Sequence, residues 1–285
     1  MKELVELINT NLEKYMDLTR PEDLFKSMKY TVTLPGKRLR PIMCLEACRI
    51  FGGKIEDAMP TACAIEMYHS MTLIHDDLPC MDNDDFRRGK PTNHKVFGEA
   101  VAVLAGDALL TYAPQIITKY STNLKPETIL KVLKEYFQYA GAYGVIGGQV
   151  VDIESENNYP EKPEETLDFI HTHKTADLFK MAVRCGAIIG GANTEQLKEM
   201  TDFAEKFGLA FQIADDILDE ISTFEEMGKT LGKDKDAGKL TYVNLYGLDN
   251  AKCKLVCLLD ECYDKIQKSD ILKEIIDDIR KRVGL

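Results

Sequence analysis

Between Leu73 and Lys90 the chain reads Leu-Ile-His-Asp-Asp-Leu-Pro-Cys-Met-Asp-Asn-Asp-Asp-Phe-Arg-Arg-Gly-Lys. An apolar approach ends in the carboxylates of Asp76, Asp77, Asp82, Asp84 and Asp85, and Arg87, Arg88 and Lys90 follow at once. Like charges this close repel, and burying them without a counter-charge costs more still. A hard divalent cation answers that need. Mg²⁺ takes one or two carboxylates together with phosphate oxygens. The arginines point to the same ligand, since a guanidinium fork matches phosphate geometry. The bland alternative is a solvated acidic loop bridged by Arg87 and Arg88.

A second stretch, Phe211-Gln212-Ile213-Ala214-Asp215-Asp216-Ile217-Leu218-Asp219-Glu220, repeats the plan. At about 100° per residue, Asp215 and Asp219 lie about 40° apart on a helix, and Asp216 and Asp219 about 60°. The arithmetic places all three carboxylates on one face. In the first stretch Pro79 disfavours a continuing helix. Asp76 and Asp77 are therefore expected near a helix end, with Asp82 brought back by an irregular turn. Two such clusters suggest two metal-binding walls facing one cavity. Gly36-Lys37-Arg38-Leu39-Arg40-Pro41 places three cations in four residues where a helix opens. Helix N-termini favour anions, so this is a candidate diphosphate pocket, or else a basic loop pairing with surface acids.

The elements that must position these groups are helical. Leu4, Leu7, Ile8, Leu12 and Tyr15 recur at helical spacing. Further helices are predicted over 22–30, 39–51, 56–78, 95–120, 126–151, 164–189 and 194–220, followed by two amphipathic helices at the C-terminal end. The 95–120 helix has a small-residue face, and Gly141, Gly144, Gly147 and Gly148 hint at a kink or close packing in the 126–151 helix. Ile221 to Lys239 reads as a mobile loop whose closure would exclude water. No strand-like alternation, repeat or low-complexity segment stands out. The 285 residues carry a net charge of −11, which argues against a nucleic-acid surface. Eight cysteines without a CxxC pair, Cys44, Cys48, Cys253 and Cys257 among them on apolar helical faces, read as reduced core residues of a cytoplasmic protein. No secretory signal is read in the acidic, amphipathic N-terminus. No membrane span is expected, the best candidate, Ala100 to Leu110, being short and interrupted by Asp107.

DDLPCMDNDDFRRG together with FQIADDILD resembles the short-chain trans-isoprenyl diphosphate synthases of the farnesyl and geranylgeranyl group. Gly36–Pro41, Gly147-Gly148-Gln149, His173-Lys174-Thr175 and Gly238-Lys239 occur in the family's order, so the resemblance covers nearly the whole chain. It implies an all-α, single-domain orthogonal bundle of the isoprenoid synthase type with a central cavity, spanning residues 1–285. It implies condensation of isopentenyl diphosphate with allylic diphosphates by ionisation, condensation and elimination, with about three Mg²⁺ ions, in a homodimer. The metal ligands implied are Asp76, Asp77, Asp82, Asp215, Asp216 and Asp219. Lys37, Arg40, His69 and Arg88 are assigned to isopentenyl diphosphate. Arg87, Lys174, Thr175, Gln212, Lys229 and Lys239 are assigned to the allylic diphosphate. Asp76, Asp77, Lys174, Thr175, Gln212 and Asp215 form the catalytic set, and Gln149 and Asp152 stand behind it. In the family, bulk one turn before the first Asp limits product length. Met71 and Thr72 hold those places here and Tyr68 lies one turn deeper, which leaves C15 and C20 products both open. A class I terpene cyclase and a non-catalytic subunit of a prenyl synthase are the alternative readings, with an acidic all-α scaffold as the third.

Overall fold

The last helical turn before Asp77 is the C-terminal end of a deeply buried helix, α4 (Ile55–Asp76). Ala58 to Met71 is buried almost without interruption, apart from His69. A helix apolar on nearly every side belongs in the middle of a layered fold, and its neighbours surround it accordingly. They are α3 (Leu39–Ile50), α6 (Glu99–Tyr120) and α10 (Asp177–Gly190), all in contact with α4. The structure is a computed structural model that describes residues 1–17, 19–221 and 239–285. The expected 221–239 loop, with Lys229, therefore lies largely outside the described residues.

The outer elements are α1 (Lys2–Tyr15), α2 (Glu22–Val32), α5 (Asn93–Phe97), α7 (Pro126–Ala140), α8 (Val145–Asn157) and α9 (Pro163–Ile170). After α10 come α11 (Thr194–Ile221), α12 (Tyr242–Tyr246), α13 (Leu248–Lys265) and α14 (Asp270–Arg282). A short hairpin of β1 (Phe86–Arg87) and β2 (Lys90–Pro91) follows the first acidic cluster. One buried apolar cluster runs through the chain from Leu4 to Val283. The all-α expectation is met.

Three predicted helices differ from the structure in instructive ways. The 95–120 helix is two helices, because Gly98 adopts φ 83°, a left-handed value that ends α5 and starts α6. The 126–151 helix breaks between Ala140 and Val145, with Gly141 and Gly144 at extended or irregular angles. Between α9 and α10 the helix widens into a π-helical segment, His171–Ala176. The expected start of α11 holds: Asn193 Oδ1 accepts from Gln196 N at 2.9 Å, and Gln196 Oε1 accepts from Asn193 N at 2.9 Å.

Two composition readings need adjustment. Cys44 and Cys48 are buried as expected, but Cys253 and Cys257 are exposed, because α13 turns that face outward. Helix α6 is long and apolar enough to cross a membrane, but it is partly buried against the rest of the chain. Val103 and Leu104 are the large apolar residues it leaves exposed.

Candidate active site

Asp76 closes α4, and the chain then folds back on itself. Asp82 N donates to Asp76 O at 2.8 Å, and Met81 N and Asn83 N both donate to Leu78 O. This is the irregular turn that Pro79 requires. The following hairpin turns through Arg88 at φ 53° and Gly89 at φ 73°. Two consecutive left-handed residues are the signature of a tight two-residue hairpin turn. The turn sends the adjacent arginines in different directions. Arg87 Nε donates to Asp77 Oδ1 at 2.6 Å. Arg88 reaches toward the buried Glu66, 3.9 Å away, and lies against Gly36, where a Cβ would meet its guanidinium at 2.9 Å.

A cavity of about 700 Å³ collects these groups. Its polar lining comprises Arg40, His69, Thr72, His75, Asp76, Arg87, Arg88, Asp107, Gln149, Lys174, Thr175, Gln212 and Asp215. Its apolar lining includes Met71, Leu110, Val145, Ile146, Val150, Ile153, Leu178 and Phe211. A cationic, carboxylate-bearing wall and an apolar wall around one space suit an amphiphile with an anionic head and a hydrocarbon tail.

The two Asp clusters reach the cavity through their first members. Asp76 and Asp215 line it. Asp77 and Asp216 do not, and both are buried. Asp77 is held by Arg87. Asp216 accepts from Gln212 Nε2 at 2.9 Å and from Tyr242 N at 2.8 Å, and lies 3.8 Å from His171 Nε2. The expectation of one shared face thus holds less well for Asp216, which the step of about 100° from Asp215 turns into the protein. Asp82 and Asp219 are half-buried, and Lys239 Nζ lies 3.5 Å from Asp82 and 3.2 Å from Glu156.

The π segment presents the next pair. A Cβ on Gly148 would come within 2.2 Å of Lys174 N, and one on Gly208 within 2.4 Å of Ala176 Cα. These two glycines let α8 and α11 press onto the segment from either side. Lys174 Nζ bonds Asp152, which gives Asp152 the role its sequence left open. Thr175 Oγ1 donates to Gln212 Oε1 at 2.7 Å. Gln149 Nε2 is buried without a partner among the described residues.

Arg40 is stacked on Phe179, 4.5 Å from its ring centre, with Phe211 beside it. Its Nε and Arg88 Nη1 are buried donors without partners among the described residues, a cradle for an anion. Behind them Arg38, at φ 52°, donates to Glu66 at 2.6 Å, to Asn9 at 2.8 Å and to Leu34 O. Arg38, one of the three cations of the candidate diphosphate pocket, is thus committed to Glu66, an acid that nothing in its apolar surroundings singles out in the sequence. Lys37 does not line the cavity; its Nζ bonds Asp278 of α14 at 2.5 Å. Of the chain-length residues, Met71 and Thr72 line the cavity, whereas Tyr68 is fully buried and donates to Ala140 O at 2.7 Å.

Burial sets the ionisation of these groups. It pushes Asp76 up to about 6, with Lys174 opposing and Asp82 reinforcing the rise. It pushes His69 well below its ordinary value, helped by Arg40 and Arg88, so His69 is a neutral ring. Arg40 is pushed down to about 10 by burial and remains a cation at neutral pH. Burial also works against Lys174, but Asp152 and Asp76 outweigh it and its value rises.

The model of the polyprenyl synthetase family matches residues 21–279. The chain belongs to that family. It is 50% identical over 245 residues to a chloroplastic geranylgeranyl pyrophosphate synthase of Catharanthus roseus, covering 86% of the chain and 68% of the relative. It is 48% identical over 256 residues to a dimethylallyltranstransferase of Fischerella ambigua, covering 90% and 74%. Its structure superposes on a geranyltransferase of Helicobacter pylori complexed with magnesium and isoprenyl diphosphate, with TM-score 0.82 and 33% identity over 98% of this chain and 92% of that one. An FPP/GFPP synthase of Zymomonas mobilis gives TM-score 0.84 at 32% identity, over 99% and 95%. The chain is thus an all-α short-chain prenyltransferase. Neither the terpene cyclase nor the non-catalytic subunit finds support in these relatives.

Proposed function

We propose that the enzyme joins isopentenyl diphosphate to allylic diphosphates and releases mainly the C20 geranylgeranyl product. The observation that supports this length is the placement of Tyr68. Its hydroxyl is tied to Ala140 O, outside the cavity lining, and the residues one turn before Asp76 are the flexible Met71 and the small Thr72. A growing tail along α4 therefore meets Met71 first.

The site chemistry follows from the residues. Arg40, His69 and Arg88 hold the metal-free diphosphate, Lys37 joining them by leaving Asp278. Arg87, Lys174, Thr175, Gln212 and Lys239 hold the allylic diphosphate; Lys229 keeps its expected place there from sequence. Asp77 keeps Arg87 oriented, and Asp216 does the same for Gln212. The donors fit Mg²⁺, being hard carboxylate oxygens. Among the described residues no three His, Cys, Asp or Glu side chains form a ready-made metal cage. That agrees with an ion that takes few carboxylates and completes its shell with phosphate. About three Mg²⁺ ions, when bound between the Asp76/Asp82 and Asp215/Asp219 walls, supply Lewis-acid stabilisation of the departing diphosphate. The apolar lining keeps water from the allylic cation. No side-chain nucleophile is required. We also read the enzyme as a single-domain cytoplasmic homodimer.

A product assay tests the length. Labelled isopentenyl diphosphate is incubated with Mg²⁺ and dimethylallyl, geranyl or farnesyl diphosphate, and product alcohols are sized. The expected result is a C20 alcohol from all three, with Met71→Tyr shifting it to C15. A wild-type enzyme that stops at C15 and refuses farnesyl diphosphate would overturn the C20 reading.

A further inference from the structure

His75, the residue before Asp76, lines the cavity but has no role in the chemistry above, yet its ring is held against α6 at two points. The His75 ring lies over Gly106 of α6, where a Cβ would fall 2.0 Å from its Nε2 and 2.4 Å from its Cδ2. Only glycine leaves that notch open. Nε2 is 3.1 Å from the carbonyl oxygen of Val103. A carbonyl only accepts, so Nε2 carries the hydrogen and the tautomer is set. Asp107 Oδ1, one turn along α6, is 4.0 Å from the same nitrogen, too far to replace the carbonyl as partner.

We infer that His75 is a positioning residue: its bond to Val103 O latches the last turn of α4 to α6 and thereby sets where Asp76 and Asp82 stand. The end of α4 needs such an anchor. It closes through backbone bonds from Asp77 N to Leu73 O and His75 O, and Pro79 prevents the helix from continuing. The turn beyond hangs on this last stretch of backbone. Leu78 N donates to His75 O at 3.2 Å, Asp77 N to Leu73 O at 3.2 Å, and Asp82 N to Asp76 O at 2.8 Å. A slip of the last turn would carry both metal-facing carboxylates with it. Displacements of about 1 Å at a reacting centre can cost about a hundredfold in rate. Ala102 and Ala105, both fully buried beside Gly106, bring α6 close enough for the bond to form.

This inference rests on the reading of Asp76 and Asp82 as metal ligands, and the test separates the two. His75→Leu removes the donor and keeps apolar bulk. His75→Gln places an amide nitrogen as many bonds from Cα as Nε2, and His75→Asn falls one bond short. Gly106→Ala keeps the histidine and fills its notch. Hydrogen exchange over residues 73–82 is measured without metal, and half-saturating Mg²⁺ and the KM for isopentenyl diphosphate are measured in the product assay. His75→Leu, His75→Asn and Gly106→Ala should each speed exchange and raise half-saturating Mg²⁺ at least fivefold, with the KM within twofold. His75→Gln should recover most of both. Wild-type exchange in His75→Leu, or His75→Gln failing as badly as His75→Asn, would overturn the latch. If His75→Leu does not fold, the Gln and Asn pair decides. A wild-type turnover indifferent to Mg²⁺ would overturn the metal reading and leave the exchange result to judge the latch alone.

Discussion

Asp76 and Asp77 are adjacent, but their side chains meet different surroundings: one faces the cavity, the other the Arg87 guanidinium. Burial pushes both carboxyls up to about 6, but Asp77 holds the Arg87 guanidinium, which its loss would strand, so substituting each should give opposite stability effects. The Asp76 carboxyl titrates at about 6 in the folded chain, above its ordinary value. The folded state thus holds the extra proton, and stability falls as pH rises through the window from about 4 to about 6. Asp76→Asn should melt higher than wild type at pH 7.5 in EDTA, with the gap closing near pH 4, while turnover drops by about a thousandfold or more. Asp77→Asn should melt lower, by roughly 2 to 3 kcal/mol, because it strands Arg87; the partial exposure of Arg87 keeps this below the cost of a fully buried pair. Scanning fluorimetry and the product assay read both, and a lower melting point for Asp76→Asn would contradict the assignment. The sequence placed these carboxylates correctly at helix ends, since Pro79 and the apolar runs are local signals. It could not separate Asp215 from Asp216 in role, because Tyr242 N and His171, which receive Asp216, come from distant segments.

Glycine governs much of what happens between elements. The run Gly141 to Gly148 hints in the sequence at a kink or close packing within one helix, and both are present. The structure uses its first part as a break and Gly148 as the contact surface for the π segment that carries Lys174 and Thr175. Periodicity sees helices, but neither a break at an irregular glycine nor a π-helical widening changes the spacing of apolar residues enough to register. Gly148→Ala should cost about 1 to 3 kcal/mol, the usual range for overpacking. It should also lower kcat more than tenfold by moving Lys174, since the added carbon meets backbone with no room to yield. Urea titration and steady-state kinetics measure the two effects. A loss of stability with kcat unchanged would show that α8 absorbs the carbon without disturbing the site.

On the scale of the whole molecule, α6 and α7 expose Val103, Leu104, Leu130 and Phe137 on neighbouring helices. A band of large apolar side chains is a natural interface, and it supports the proposed homodimer. The double variant Leu104→Glu/Phe137→Glu should run as a monomer in light scattering at micromolar concentration, where wild type runs as a dimer. A monomeric wild type would remove the proposal. The all-α architecture was legible from helical spacing and the site from ordered motifs. The exposed band was not, because a helix face covered by a second copy has the same pattern as one covered by the chain itself.

The thiols described above divide by reactivity as well as by burial. Cys44, Cys48, Cys63, Cys185 and Cys262 are inside, and burial pushes Cys48 up to about 11 and Cys262 up to about 12. Such thiols are poor nucleophiles at neutral pH. Alkylating reagents are left with Cys80, Cys253 and Cys257. Two of these sit together on α13, and the third lies in the turn between Asp77 and Asp82. With Cys253 and Cys257 changed to serine, Cys80 becomes a single attachment point for a fluorophore beside the first acidic cluster. The protein thus carries its own reporter position, through which ligand arrival could be followed in real time without altering any group that holds the ligand.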